Sequence, residues 1–314
     1  MKKVTLFGGT GFIGSYLLKC LVEHGYHVFL PIRNKHIHVI PIHENITPIA
    51  IHTFSDEMID RCIASCETII YNIGIIREFP SKGITFKYLH QELPEQIIRI
   101  AGKNNVKQFL YMSANDVDNQ QTKYQKTKLK TERFPQNSNL EWTIFRPSVV
   151  FGNPHEHLDF VTQLYNTMIK PPFPVPLFYN YLPTKAGAFQ MSPIHVQDVV
   201  NIIIQSIDDT EMFNKVIPLG GIEKLSWSQI IAIISGVVKK SKLKIPVPIL
   251  PIKIVTHFLE RFPWYPVTAD QLTMLVAGNT CDSHHIFTHF GMVPIPFSTE
   301  NLSYLIPKPK KYSS

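Results

Sequence analysis

Gly8, Gly11 and Gly14 follow an apolar run at residues 4–7 in the spacing Gly-x-x-Gly-x-x-Gly and open a stretch of helical periodicity. Glycines placed this way hold phosphate. Gly8 permits a tight turn and Gly11 lets backbone approach a pyrophosphate. Gly14 lets helix and strand pack closely while the helix N-terminus faces the anion. The turn of Gly8, Thr10, Gly11, Phe12, Ile13 and Gly14 is therefore expected to bind a dinucleotide. At the end of the second strand, where an acidic side chain would bond the ribose hydroxyls of NAD, the chain reads Pro31-Ile32-Arg33-Asn34. A guanidinium there can pair with a 2′-phosphate, so Arg33 favours NADP(H) over NAD(H).

Tyr124 and Lys128 lie one helical turn apart on a single face. A free phenol titrates near about 10, too high for proton transfer at neutral pH, and an ammonium beside it is expected to lower that value. Tyr181/Lys185 and Tyr304/Lys308 share the spacing, but Pro183 and Pro307 interrupt them. Ser113, at the end of the preceding strand, is placed to hold a substrate carbonyl or the phenol.

The elements that must position these residues alternate. Strands are predicted at 4–7, 26–32, 67–73, 108–112 and 142–145, and helices at 12–22, 58–65, 94–104 and 124–134. Such alternation implies right-handed crossovers and a parallel sheet covered on both faces, an α/β fold of Rossmann type, doubly wound. After Gly152 prolines crowd 171–183 and 246–266, with strand and helix signals at 196–204, 216–219 and 226–238. Residues 1–152 thus read as an NAD(P)-binding Rossmann domain, and 153–314 as a smaller, irregular C-terminal cap that returns elements to the sheet.

The 314 residues, 44% hydrophobic and 18% charged, exclude a disordered chain. A net charge of +7 suits an anionic ligand or surface. The dense basic groups at 123–130, 239–244 and 308–311 lack the interleaved aromatics of a nucleic-acid reader, so no nucleic acid is expected. Cys20, Cys62, Cys66 and Cys281 form no Cys-x-x-Cys pair, which argues against zinc and disulfides and for a reducing, cytoplasmic compartment. His36/His38, His155/His157 and His284/His285 find no third ligand at ordered spacing, so no metal is expected. Met1-Lys2-Lys3 runs into the first strand without room for a signal peptide, and no apolar run approaches the roughly 20 residues that span a bilayer. From Ile252, the residues Val255, Phe258, Leu259 and Phe262 form a stripe read as a cap helix packed on its own core, with a membrane or partner subunit as the alternative. Phe173, Phe178, Tyr179, Tyr181 and Phe189 suggest an apolar pocket in the cap.

Four blocks in order resemble the atypical and extended short-chain dehydrogenase/reductase superfamily over almost the whole chain: the glycine turn, Tyr124 to Lys128, Arg146-Pro147-Ser148-Val149-Val150-Phe151-Gly152, and Pro193-Ile194-His195-Val196-Gln197-Asp198-Val199. Within it the resemblance is greatest to the group typified by the NADPH-binding accessory subunit of respiratory complex I, alpha-subcomplex subunit nine, and its bacterial relatives. Asn72-Ile73-Gly74-Ile75 with His90, Met112-Ser113-Ala114, Leu219-Gly220-Gly221 with Leu225-Ser226, and Thr268-Ala269-Asp270-Gln271-Leu272 carry that likeness. It implies cofactor contacts at Asn72, Lys128, Pro147 and Val149 besides the glycine turn and Arg33, and a catalytic set of Ser113, Tyr124 and Lys128. His52-Thr53-Phe54-Ser55 departs from the pattern by lacking the Gly-Asp of many relatives.

The resemblance implies an NADP(H)-binding accessory or assembly factor of a respiratory NADH:quinone oxidoreductase, peripheral on the inner face of the membrane, with complex I or another membrane-associated protein as partner. The alternative is an active NADP-dependent reductase or epimerase/dehydratase in which Tyr124 exchanges a proton, Lys128 lowers its pKa, Ser113 orients the carbonyl and the cofactor carries hydride.

Overall fold

A computed structural model of the chain describes residues 1–33, 40–262 and 264–306. In chain order the first elements are β1 (Lys3–Phe7), α1 (Phe12–Glu23), β2 (His27–Arg33), β3 (Ile46–Ile51), α2 (Asp56–Ile63), β4 (Thr68–Tyr71), α3 (Leu93–Ala101), β5 (Gln108–Met112), α4 (Lys123–Gln136) and β6 (Glu141–Pro147). There follow β7 (Val150–Phe151), α5 (Phe160–Leu164), β8 (Val175–Tyr179), β9 (Gln190–Met191), β10 (Ile194–His195), α6 (Val196–Gln205) and β11 (Lys215–Leu219). The last are β12 (Leu225–Ser226), α7 (Trp227–Val237), β13 (Lys244–Pro248), α8 (Ile249–Leu259), α9 (Ala269–Ala277) and α10 (His284–His289). Two compact units result: Met1–Ser148 with Val196–Leu219 and Cys281–Met292, and Val149–His195 with Gly220–Thr280 and Val293–Ser314.

The first unit is built on a seven-stranded sheet in the order β11-β6-β5-β4-β1-β2-β3. Every neighbouring pair is parallel. This is the Rossmann order with one strand added beyond β6, and its direction reverses between β1 and β4. β4 and β5 are buried along their whole length, as strands covered on both faces are. Helices α2, α3 and α4 pack in succession, while α1 packs on α6. Pro48 sits in edge strand β3, where a missing N–H is tolerated, and Pro31 lies beyond the β1 register, which ends at Thr5 and Phe29.

Local chemistry sets the helix that carries most of the site. Thr122 Oγ1 accepts the Gln125 N–H, and Gln125 Oε1 accepts the Thr122 N–H, a capping box that starts α4 at Lys123. Ahead of α3, Lys87–Glu92 forms a π-helical turn that buries His90. Nothing in the periodicity announces that turn.

In the second unit Phe151, Val161, Trp227, Ile230, Ile234 and Phe297 belong to one core. Trp227 is fully buried and its indole N–H donates to the Pro176 carbonyl at 3.1 Å. Phe178, Tyr179, Tyr181 and Phe189 line one cavity of about 360 Å³ with Lys185 and Val276, whereas Phe173 is not part of it and is exposed. The reading of the 252–262 stripe as a packed cap helix holds for Ile252, which packs on a small core of Phe178, Ile249 and Leu272, and is corrected for Val255, Phe258 and Phe262, which are exposed. α8 buries Ile249 and Thr256 and leaves Val255 and Phe258 outside. The reason is phase: the helix begins at Ile249, and the face turned inward is the one that carries Thr256. No helix among the described residues is long and apolar enough to cross a membrane.

Trp227→Ala removes a fully buried ring and its hydrogen bond, so it is expected to cost about 3–5 kcal/mol, read as a lower urea midpoint.

Candidate cofactor and proton-transfer site

The C-terminal ends of β1, β2, β4, β5 and β6 carry Gly8, Arg33, Asn72, Ser113 and Pro147, the rim where ligands bind in open α/β sheets. Gly8 has φ +86°, and a Cβ there would stand 2.8 Å from the Asn72 carbonyl carbon. Asn72 is itself fixed by its N–H on the Phe7 carbonyl at 2.9 Å. A Cβ on Gly14 would stand 2.0 Å from the Gly8 oxygen, so both positions exclude any side chain. Gly11 differs, since a Cβ there would meet only the Gly8 oxygen at an ordinary 3.5 Å. The protein's own packing leaves that side open.

Gly11 caps α1 without any side-chain hydrogen bond, and the first turn of the helix holds no acidic residue. The amides at Phe12 and Ile13 thus lie at the positive end of that helix. These residues fit a pyrophosphate. Arg33 closes β2 and is exposed. Asn34, His36, His38 and the lysines at 308–311 lie outside the described residues.

Lys128 is 2% exposed, and its ammonium donates to the Met112 carbonyl at 2.7 Å and lies 5.0 Å from the centre of the Tyr111 ring. Burial pushes it down to about 7, against the pull of Glu132. Tyr124 is half-buried, edge-on to the rings of Phe86 and His90. Burial pushes its phenol up to about 12. The expected lowering by Lys128 is therefore corrected, because the lysine shares the water-poor site and is itself drawn toward neutrality.

Ser113 is also engaged otherwise than expected. Its hydroxyl donates to Glu132 Oε1 at 2.5 Å, so its one proton is not offered to a carbonyl or to the phenol. Glu132, 2% exposed, also accepts from Arg146 Nε at 3.0 Å and Nη2 at 2.6 Å. Arg146 turns its other edge to Asp118 at 2.5 Å. Asp118 sits in a short turn flanked by Asp116 and Gln120, both at positive φ. Gln125 Nε2 holds that turn through the Asp116 carbonyl at 2.9 Å.

His90 is fully buried. Its Nε2 accepts the Ile75 N–H at 3.1 Å, which leaves the proton on Nδ1, 3.4 Å from Thr127 Oγ1. Burial first, and the Lys128 charge second, push the imidazole down to about 2, so it is neutral at working pH. Glu132, Asp118 and the role of His90 escaped the sequence reading. The one available signal was Glu132 standing a turn after Lys128 on the same helix face.

Pro147 ends β6, where its carbonyl accepts the Asn115 N–H at 2.8 Å. Val149 opens the second unit, and its carbonyl accepts the Ile194 N–H at 3.0 Å. Cys62 and Cys66 are buried and their thiols are pushed up to about 12 and about 11, which makes them inert as nucleophiles. Among the described residues no group of three His, Cys, Asp or Glu is placed to hold a metal.

The profile of a family described as NAD(P)H-binding matches residues 8–167. The chain belongs to that NAD(P)H-binding family. It is 23% identical over 308 residues to the mitochondrial NADH-ubiquinone oxidoreductase 40 kDa subunit of Neurospora crassa, covering 96% of this chain and 78% of that one. It is 24% identical over 270 residues to the mitochondrial NADH dehydrogenase (ubiquinone) 1 alpha subcomplex subunit 9 of Dictyostelium discoideum, covering 83% and 72%. Among solved structures, UDP-glucuronic acid 4-epimerase of Bacillus cereus with UDP-glucuronic acid and NAD superposes with a TM-score of 0.72 at 16% identity, over 96% of this chain and 98% of that one. UDP-glucose 4-epimerase of Thermotoga maritima with UDP-glucose gives 0.70 at 17%, over 96% of each. The likeness read from the sequence, to short-chain dehydrogenase/reductase proteins and complex I accessory subunits, is the one these comparisons show.

The Lys128 environment predicts a pH dependence. Its folded pKa lies below the ordinary lysine value, so the unfolded chain binds more protons between about 7 and about 10.4. Its contribution to stability is complete above that window and lost as pH falls toward 7. Lys128→Met is expected to flatten the rise in unfolding free energy from neutral to alkaline pH, measured by urea titration across that range.

Proposed function

We propose that the chain is an NADP(H)-holding accessory or assembly factor of a respiratory NADH:quinone oxidoreductase, peripheral on the inner, cytoplasmic face of the membrane. The observation that carries the reading is the state of the polar residues beside the cofactor turn. Ser113 donates to Glu132, Lys128 donates to the Met112 carbonyl, and the Tyr124 phenol is pushed up to about 12. A site in that state grips and shields a nucleotide better than it moves protons. The glycine turn takes the pyrophosphate at the N-terminus of α1, with Gly8, Thr10, Gly11, Phe12, Ile13 and Gly14 around it and Asn72 beside it. Arg33 pairs with the 2′-phosphate, Lys128 donates to the nicotinamide ribose, and Pro147 closes the nicotinamide end. The two complex I relatives supply the partner class.

Purified protein loaded with NADPH is expected to release it over hours, and NADH far faster. Arg33→Ala is expected to weaken NADPH at least about tenfold while sparing NADH, as loss of a charge-assisted hydrogen bond does. Release within seconds, or equal retention of both cofactors, contradicts the reading.

A second reading is favoured by the Tyr124/Lys128 pair on one helix face: an NADP-dependent reductase or epimerase/dehydratase of short-chain dehydrogenase/reductase type. In it Ser113, Tyr124 and Lys128 are the catalytic set, the bound nucleotide supplies hydride chemistry, and substrate entry re-aims the three side chains. Under this reading Tyr124→Phe abolishes turnover of a carbonyl substrate while NADPH affinity stays unchanged; retained turnover removes it.

A further inference from the structure

The exposed side of α8 is apolar where a surface helix is ordinarily polar. Leu250, Ile254 and Phe258 recur every four residues, with Val255 beside them, and they are 66%, 53%, 59% and 50% exposed. Trp264, 71% exposed and stacked on Phe262 at 6.0 Å, extends the stripe past the end of the helix. Leu243 and Ile245, also exposed, alternate on the approach to the helix with Lys242 and Lys244, which are half-buried and donate to the Pro171 and Ser228 carbonyls at 2.5 and 3.2 Å. The charges around the stripe are predominantly positive. Residues 239–261 contain six lysines or arginines and one acidic residue, Glu260, whose carboxylate accepts the Ala269 N–H at 2.7 Å.

From this we infer that α8, with Trp264 and the exposed Lys239, Lys240 and Arg261, is a docking face for an anionic phospholipid surface. Apolar side chains burying into the acyl boundary, an aromatic at headgroup level and lysines over anionic headgroups are the parts of an interfacial helix. The lysines decide between membrane and protein. Lysine is depleted at protein–protein interfaces and enriched on helices that lie on anionic bilayers. The inference sharpens the membrane position proposed above, yet vesicle binding is read without any respiratory complex, so either can fail alone.

The test uses the full chain and vesicles of phosphatidylcholine with and without phosphatidylglycerol. The protein is expected to co-sediment with the anionic vesicles, to release as salt rises, and to shift Trp264 emission to shorter wavelength on binding. Ile254→Glu with Phe258→Glu is expected to cut vesicle affinity at least about tenfold, with NADPH binding and thermal unfolding unchanged. Leu250→Ser with Phe258→Ser is the milder pair should the charged one not fold. No association of folded protein with anionic vesicles, or equal binding by a folded double variant, overturns the inference. So does self-association in solution that the same changes abolish while vesicles are ignored.

Discussion

A carboxylate cut off from water must be paired, and Glu132 satisfies that demand by tying together three elements of the first unit. It stands on α4, accepts from Ser113 beyond β5, and takes two bonds from Arg146 on β6. Removing one partner of such a buried pair typically costs about 3–5 kcal/mol, since the remaining charge cannot be rehydrated. The rim of the sheet is thereby locked, and the groups around it inherit their properties. Lys128, one turn earlier, lies beside an anion, yet the same dryness pushes its ammonium down to about 7.

The dryness also explains why the pattern of a proton-transfer site and its behaviour diverge. Proximity on a helix face brings an ammonium near a phenol, but electrostatic help requires that the ammonium remain charged. Here burial acts on both partners, pushing the phenol up and the ammonium down, so the two drift toward their neutral forms together.

Much of the sheet was legible because alternation of apolar runs with helical periods is a local signal. β1 with its glycines and β5 were readable almost to the residue. β3 was not, because Pro48 interrupts the pattern that would mark a strand and is tolerated only at an edge. The glycine turn was readable for a steric reason, since Gly8 and Gly14 face backbone that no side chain can share. The engagement of Ser113 was not, because it depends on a glutamate 19 residues later and an arginine 14 beyond that, brought together only by strand order. The phase of α8 was misread for a similar reason. An apolar stripe tells which residues share a face, not whether that face turns inward.

One feature of the sheet bears on how the chain is made. β6 is an interior strand only because β11 lies outside it, yet the chain leaves the first unit after Ser148 and delivers β11 only at Lys215–Leu219. At roughly 5–20 residues per second, the emerging polypeptide presents the open backbone edge of β6 to its surroundings for several seconds. An open edge is a template for pairing with another chain. Expression of the first half alone makes that exposure permanent.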